Sequence, residues 1–327
     1  MKKRMITGVT PTGGFTLGNY IGAIRNFVAL QEEYDSYIFI ADLHALTSYQ
    51  EPKKINKTIL DLAAIYIACG IDPLKTNFFI QSNINQHSAL GFLVAFQCRV
   101  GELSRMTQYK AKRKKESVDL GLFIYPALMA ADILLYDAEI VPVGADQKQH
   151  IEITRDLGER LNKRYGDMFK LPNYYIPKVG SRIMNLQNPL EKMNKSADLD
   201  DKGTIFLLDD VAVTRKKIMS AVTDSENLIK FDEKKKPGIS NLITIMSVLN
   251  KKDIKEIEKE FANSNYGQFK EAVADVVCQF IVNFQKKYNK IRYSDELIDI
   301  LKKGGCEALR VAECKLNEVK NKMGIDI

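Results

Sequence analysis

Three stretches of this chain hold residues whose types and spacing suit chemistry. In GVTPTGGFTLGNYIGA (8–23), Pro11, Gly13, Gly14 and Gly18 form a loop of little side-chain bulk between an apolar run and a helical stretch. Such a loop lets backbone amides and a helix N-terminus face a phosphate. It lacks the G-x-x-x-x-G-K-[ST] and G-x-G-x-x-G patterns, so alone it reads equally well as a plain turn from strand to helix. In EKMNKSADL (191–199), Lys192 and Lys195 flank a short turn followed by Ser196. Lysine is a mobile point charge that can follow a moving phosphate, although an isolated charged run is usually a solvated loop. In YPALMAADILLY (125–136), Met129, Asp132, Ile133 and Tyr136 fall at i, i+3, i+4 and i+7, so one carboxylate sits on an apolar helix face. Taken alone, that aspartate serves either a ligand or a structural hydrogen bond. A fourth stretch, KAKRKK (110–115), is a charge run open to a solvated reading or a polyanionic partner.

The elements that must position these residues alternate over the first half. Residues 4–9 are a short apolar run, 18–31 carry Tyr20, Ile21, Ile24, Phe27, Val28 and Leu30 at helical spacing, and 36–42 (SYIFIAD) are an uninterrupted apolar strand. A strand without polar alternation is expected where both faces of a parallel sheet are covered. Residues 53–69 read as a helix stopped by Gly70 and Pro73, 77–81 as a strand, and a helix follows near 86–100. Pro126 is expected to open a helix reaching Tyr136. EIVPVGADQ (139–147) reads as strand, tight turn and helix start, with Asp146 and Gln149 as a capping box. This βαβ rhythm predicts an α/β fold with a Rossmann-like, doubly wound parallel sheet. After about residue 205 the texture turns helical, over 210–222, 240–249, 253–262, 267–289 and 294–322. The expected division is a catalytic domain over 1–200 and a helical domain over 201–327, whose first and last helices can pack back on the first.

Bulk properties narrow the class. Apolar residues make up 45% and charged residues 27% of the 327, an ordinary balance for a soluble protein. Five scattered cysteines form no C-x-x-C pair, and His44, His87 and His150 lie far apart, so neither a disulfide framework nor a metal cluster is expected. The basic start MKKR is not followed by a long apolar run, so no signal peptide or membrane span is expected and the default location is cytoplasmic. A net charge of +7 is compatible with a polyanionic partner without demanding one.

Taken together, the motifs resemble the two signatures of class I aminoacyl-tRNA synthetases. Thr16-Leu17-Gly18-Asn19 is similar to the T-x-G-N form of the "HIGH" signature, and Lys192-Met193-Asn194-Lys195-Ser196 to "KMSKS". GELSRMTQYK (101–110), YPALMAADILLY, VPVGADQKQHIEITRDLGERLNKRYG (141–166), AVTDSE (221–226) and KPGISNL (236–242) resemble the bacterial tryptophanyl-tRNA synthetases along essentially the whole chain. Two positions depart from that pattern: Thr10 stands where the family usually has Gln, and Asn194 where it usually has Ser.

The resemblance implies a reaction and a set of roles. Tryptophan and ATP form tryptophanyl-adenylate, which is passed to tRNA(Trp). A carboxylate is already nucleophilic, so catalysis rests on alignment and on stabilising negative charge. Thr10, Pro11, Thr12, Gly18 and Asn19 are implied at the ATP phosphates. Gly144, Ala145 and Asp146 are implied at the adenosine, with Asp146 near the ribose and Ile183 against the adenine. Lys112, Lys192 and Lys195 are the implied catalytic lysines, and Lys192, Met193, Asn194, Lys195 and Ser196 the loop that holds the pyrophosphate. Asp132 is implied to accept the indole N–H, since indole is donor only, with Met129, Ile133, Val143, Gln147 and His44 completing the pocket. Mg²⁺ is expected to arrive with ATP, with no permanently bound cofactor. A homodimer without membrane contact is implied, and the helical part is implied to read the anticodon. The alternatives are a tyrosyl-tRNA synthetase, a small-molecule adenylyltransferase and a non-catalytic RNA-binding paralogue. Retention of Gly18, Asn19, Lys192 and Lys195 argues against the last.

Overall fold

A computed structural model describes residues 2–112, 119–176, 182–195, 197–198 and 200–325, without the side chains of Lys112 and Ala145. Five parallel strands, β1 (Arg4–Val9), β2 (Asp35–Ile40), β3 (Thr76–Ile80), β4 (Ile140–Pro142) and β5 (Asn173–Tyr175), lie in the order β3-β2-β1-β4-β5. The order reverses at β1, so the loops leaving the carboxyl ends of β1 and β4 diverge and open a crevice between them.

The apolar run of β2 is explained by what covers it. Tyr37 and Phe39 join Ile6, Phe79 and Val141 in one buried cluster, whereas Ile38 and Ile40 join Phe78 in the other. Successive side chains point to opposite faces, and both faces are dry. On the first face lie α5 (Gln86–Ala95), α6 (Val100–Leu103), α7 (Thr107–Lys112), α8 (Leu120–Leu134) and α9 (Lys148–Tyr165). On the second lie α1 (Leu17–Asn19), α2 (Arg25–Leu30) and α4 (Pro52–Ala68), while α3 (Asp42–Ala45) follows the carboxyl end of β2.

The C-terminal half is helical: α10 (Val211–Met219), α11 (Pro237–Asn250), α12 (Ile254–Glu260), α13 (Tyr266–Arg292) and α14 (Glu296–Met323). It shares its core with the sheet. Helix α13 lies along α4, tied by Arg292 and Tyr288 to Asp61 at 2.6 and 3.0 Å. Helix α14 runs against β3, where a Cβ on Gly304 would fall 2.2 Å from the Phe78 carbonyl oxygen. The change of texture near residue 205 is therefore a change of element type within shared cores. Among the described residues no helix is long and apolar enough to cross a membrane.

Three local expectations change. The stretch 18–31 is not one regular helix: a π-helical turn at Tyr20–Ile24 separates α1 from α2. Helix α8 opens at Leu120, not Pro126, and Pro126 stands inside it. The proline forfeits the bond to the carbonyl four residues back, but packing of α8 against α5 and α9 outweighs that loss. Asp146 and Gln149 form no capping box. Asp146 lies in a 3₁₀ turn (Ala145–Gln147) and accepts from Gln147 Nε2 at 2.9 Å, whereas Gln149 Oε1 accepts from Thr107 N and Oγ1 at 3.0 and 2.9 Å.

Candidate active site

The crevice at the carboxyl ends of β1 and β4 is a cleft of about 890 Å³. Its rim is made where the two sequence motifs meet. Gly13 has φ +75°, and a Cβ there would fall 2.6 Å from the Lys195 carbonyl oxygen, so glycine is required by conformation and by space. Gly14 N donates to that same carbonyl at 3.0 Å, and Lys195 Nζ donates to Thr10 Oγ1 at 3.1 Å. The lysine loop is thus docked on the glycine loop across 185 residues of sequence. Burial holds the Lys195 ammonium below the usual lysine pKa. Met193 is buried beneath the loop, its N–H donating to the Ile183 carbonyl at 3.0 Å. Gly18 faces Met193 and Ile183 closely: a Cβ would sit 3.4 Å from Met193 Cβ and 3.6 Å from Ile183 Cβ.

The start of α1 is capped within the motif. Thr16 Oγ1 accepts from Asn19 N at 3.1 Å, and Asn19 Oδ1 accepts from Thr16 N at 3.1 Å and Oγ1 at 3.0 Å. The cap occupies Asn19 Oδ1, so the side-chain amide nitrogen is what Asn19 can offer an anion. The segment after residue 200 braces the same place, with Leu17 N donating to the Ile205 carbonyl at 2.9 Å and Leu207 N to the Phe15 carbonyl at 2.8 Å.

The inner end of the cleft is acidic at a single point. Asp132 is 1% exposed and accepts from His44 Nε2 on Oδ2 at 2.7 Å, and from His87 Nδ1 and Gln81 Nε2 on Oδ1 at 2.6 and 2.8 Å. Burial by itself would raise the Asp132 pKa; the hydrogen bonds from His44 and His87 overcome it and bring the carboxyl down to about 2. Behind it, Tyr136 Oη lies 2.9 Å from His87 Nε2. Beside it, Tyr125 Oη lies 2.6 Å from His150 Nε2, and burial lowers the His150 pKa to about 4, so that imidazole is neutral at physiological pH.

Thr10, Thr12, Gly18, Asn19, Gly144, Asp146, Ile183, Lys192 and Lys195 all line this one cleft, as do His44, Met129, Asp132, Ile133, Val143 and Gln147. Pro11 and Met193 are buried beside it and Asn194 is exposed, none of the three on its lining. Ser196, the side chains of Lys112 and Ala145, and residues 113–115 of the basic run lie outside the described residues. Sequence reasoning did not place Gln81, His87, Tyr125, His150 or Arg182. Tyr125 carried a signal, since 125, 129, 132, 133 and 136 share one helical face, but a helix opened at Pro126 excludes it. Gln81, His87 and His150 come from other elements, and only packing brings them in. Among the described residues no group of three or more His, Cys, Asp or Glu side chains is arranged to hold a metal ion.

A parallel sheet reversing at β1, a glycine loop and helix start facing the crevice, and a lysine loop docked above it define a nucleotide-binding enzyme that works on phosphates. The chain belongs to the family of class I tRNA synthetases (W and Y), whose family model matches residues 2–281. Among its relatives is a tryptophan–tRNA ligase of Bacillus anthracis, 51% identical over 322 residues that span 98% of each chain. The fold is shared with a tryptophanyl-tRNA synthetase from Mycoplasma pneumoniae at TM-score 0.89 and 38% identity, covering 100% of this chain and 99% of that one. It is shared also with a tryptophanyl-tRNA synthetase from Campylobacter jejuni complexed with ADP and tryptophan, at TM-score 0.86 and 34% identity, over 98% and 99% of the two chains.

Proposed function

We propose that this chain is a tryptophan–tRNA ligase. The carboxylate of L-tryptophan attacks the α-phosphorus of ATP, the bond to the β-phosphate oxygen breaks, and pyrophosphate leaves. A terminal ribose hydroxyl of tRNA(Trp) then attacks the adenylate carbonyl, losing its proton as AMP departs. The observation that carries the choice of amino acid is Asp132. A carboxylate offers about four acceptor positions, and the bonds to His44, His87 and Gln81 occupy three. One remains on Oδ2 at the cleft, and an indole N–H matches it. Met129, Ile133 and Val143 supply apolar walls, with His44 and Gln147 at the edge. The full-length likeness to a tryptophan–tRNA ligase supports the same reading.

The other roles follow from position. Thr10, Pro11, Thr12, Gly18 and Asn19 form the phosphate rim. Gly144, Ala145 and Asp146 meet the adenosine, with Asp146 near the ribose and Ile183 under the adenine. Lys192 and Lys195, carried by the loop through Met193, Asn194 and Ser196 and aided by Lys112, take charge from the departing pyrophosphate. Mg²⁺ enters with ATP as part of the substrate. Charging takes place in the cytoplasm, where ATP and tRNA are found.

ATP–pyrophosphate exchange with a panel of amino acids tests this directly; tyrosine turning over as well as tryptophan would move the assignment to a tyrosyl enzyme. The chain contains no Trp, so with excitation beyond the tyrosine absorption band ligand fluorescence is free of protein background. Binding is expected to shift tryptophan emission to the blue as the ring leaves water. A titration without a saturable change would remove the binding claim.

The helical part from about residue 210 carries tRNA recognition. Lys234, Lys235, Lys251 and Lys255 are exposed there, on or beside α11 and α12. Replacing each with Ala is expected to weaken aminoacylation, lower the salt dependence of tRNA binding by about one per lysine, and leave pyrophosphate exchange unchanged. Equal damage to both reactions would end this division of labour.

We propose a homodimer through the outer face of α5, α6 and α8, a reading supported by the exposed Phe92, Phe96, Val100, Leu120 and Ile124, with the Phe92 and Phe96 rings packed edge to face at 4.7 Å. Phe96→Asp is expected to give monomers in sedimentation at a concentration where the parent chain is dimeric. A monomeric parent chain would refute the dimer.

A further inference from the structure

His87 lies behind Asp132, bonded to Asp132 and Tyr136. Its side chain is fully buried and holds two polar neighbours. Asp132, ionised through physiological pH, can only accept, so His87 Nδ1 carries a proton and donates at 2.6 Å. The Tyr136 hydroxyl stays protonated, since burial and then the Asp132 charge raise its pKa, and it lies in hydrogen-bond contact with His87 Nε2 at 2.9 Å. The imidazole is thereby tied at both nitrogens, Nδ1 to the carboxylate and Nε2 to the phenol. The rings of Phe39, Phe79 and Tyr136 surround it, with centroids 5.6, 6.0 and 5.5 Å away. Gln81 adds a second donor to the same carboxylate oxygen while its own Oε1 is buried without a partner.

We infer that His87 is a positioning residue for amino-acid selection: locked by Tyr136, it fixes the Asp132 carboxylate so that the one open acceptor position, on Oδ2, meets a ring N–H in the cleft. The inference rests on the proposed role of Asp132 as indole acceptor. Without the lock the carboxylate rotates, its open position no longer points at the ligand, and the site stops distinguishing a ring that donates from one that does not.

The experiment is pyrophosphate exchange by the full chain with L-tryptophan and with its benzothiophene analogue, in which sulfur replaces the N–H at nearly constant shape. The quantity read is the ratio of kcat/KM for the two. A charge-assisted hydrogen bond makes the expected ratio for the parent chain roughly 10 to 100. His87→Leu is expected to bring it within about threefold of one. His87→Asn, whose amide nitrogen replaces Nδ1–H, is expected to keep most of it, and Tyr136→Phe to fall between. A parent ratio near one overturns the Asp132 reading and the inference with it. A parent ratio above about 10 that His87→Leu retains, with both substrates slowed equally, overturns the inference alone. A second measurement needs no variant that might fail to fold. In the ¹⁵N-histidine-labelled chain, which has three histidines, an imidazole with Nδ1 protonated and hydrogen-bonded to a carboxylate is expected. A spectrum in which all three carry their proton on Nε2 contradicts the inference.

Discussion

Asp132→Asn is expected to lower kcat/KM for L-tryptophan by roughly 10- to 150-fold, from the loss of a charge-assisted hydrogen bond, while ATP binding changes little. The substituted amide has one oxygen and one NH₂. Placed at Oδ1, the NH₂ would face two donors, His87 and Gln81, against one, His44, at Oδ2, so the amide settles with its oxygen at Oδ1 and its NH₂ at Oδ2. That turns the open acceptor position into a donor where the ring N–H must approach. Asp132→Ala leaves two buried donors, His87 and Gln81, and the half-buried His44 without an acceptor, and is expected to destabilise the fold by several kcal/mol as well. The carboxyl also links stability to acid. Its pKa is depressed from 3.8 to about 2 in the folded chain, so its contribution is fully present above 3.8 and lost as pH falls toward 2. That contribution is about 2 kcal/mol, and the Asp132→Asn variant should lack this part of the acid dependence. Initial rates of pyrophosphate exchange and urea unfolding at pH 7 and pH 3 check the two halves. Unaltered tryptophan affinity in the variant would sink the assignment.

Lys195→Ala is expected to slow adenylate formation by roughly 10²–10³, the range for removal of one preorganised group at developing charge, with tryptophan affinity nearly intact. The ammonium sits in a partly dry rim against Thr10 Oγ1, and burial strengthens any interaction it makes with phosphate oxygens. Negative charge grows on the pyrophosphate as its bond to the α-phosphorus breaks, so the lysine stabilises the transition state more than the ground state. Because the loop backbone, through the Lys195 carbonyl and Gly14 N, and the buried Met193 anchor it independently, losing the side chain should leave the loop in place. Single-turnover measurement of adenylate isolates the step; formation at the parent rate would show the loop to be structural only.

Much of the fold was legible in the chain. The apolar run of β2 announced a sheet covered on both faces, and the glycine loop and the lysine loop, singled out together in the sequence, do meet in the fold. The errors were local. Pro126 reads as a helix start because a proline inside a helix forfeits a bond; packing of α8 on α5 and α9, invisible from the residue itself, overrides that rule and brings Tyr125 onto the face of Asp132. The π-helical turn at Tyr20–Ile24 left no mark, because the apolar spacing of 18–31 fits an unbroken helix equally well.

By itself the sequence determined the alternation of strands and helices, the glycine loop, the two lysines and the helix face bearing one carboxylate. These depend on residue type and on spacings of two or about 3.6, which neighbours along the chain decide. The tertiary structure alone decided what surrounds Asp132. His44 comes from the end of β2, Gln81 from the end of β3 and His87 from α5, and they converge on one carboxylate from positions 45 to 88 residues away. It also decided that the helices after residue 205 share cores with the sheet and that Lys195 rests on Thr10. Burial and hydrogen-bond satisfaction are properties of what meets in space; no local pattern encodes which distant donor will complete a buried acceptor.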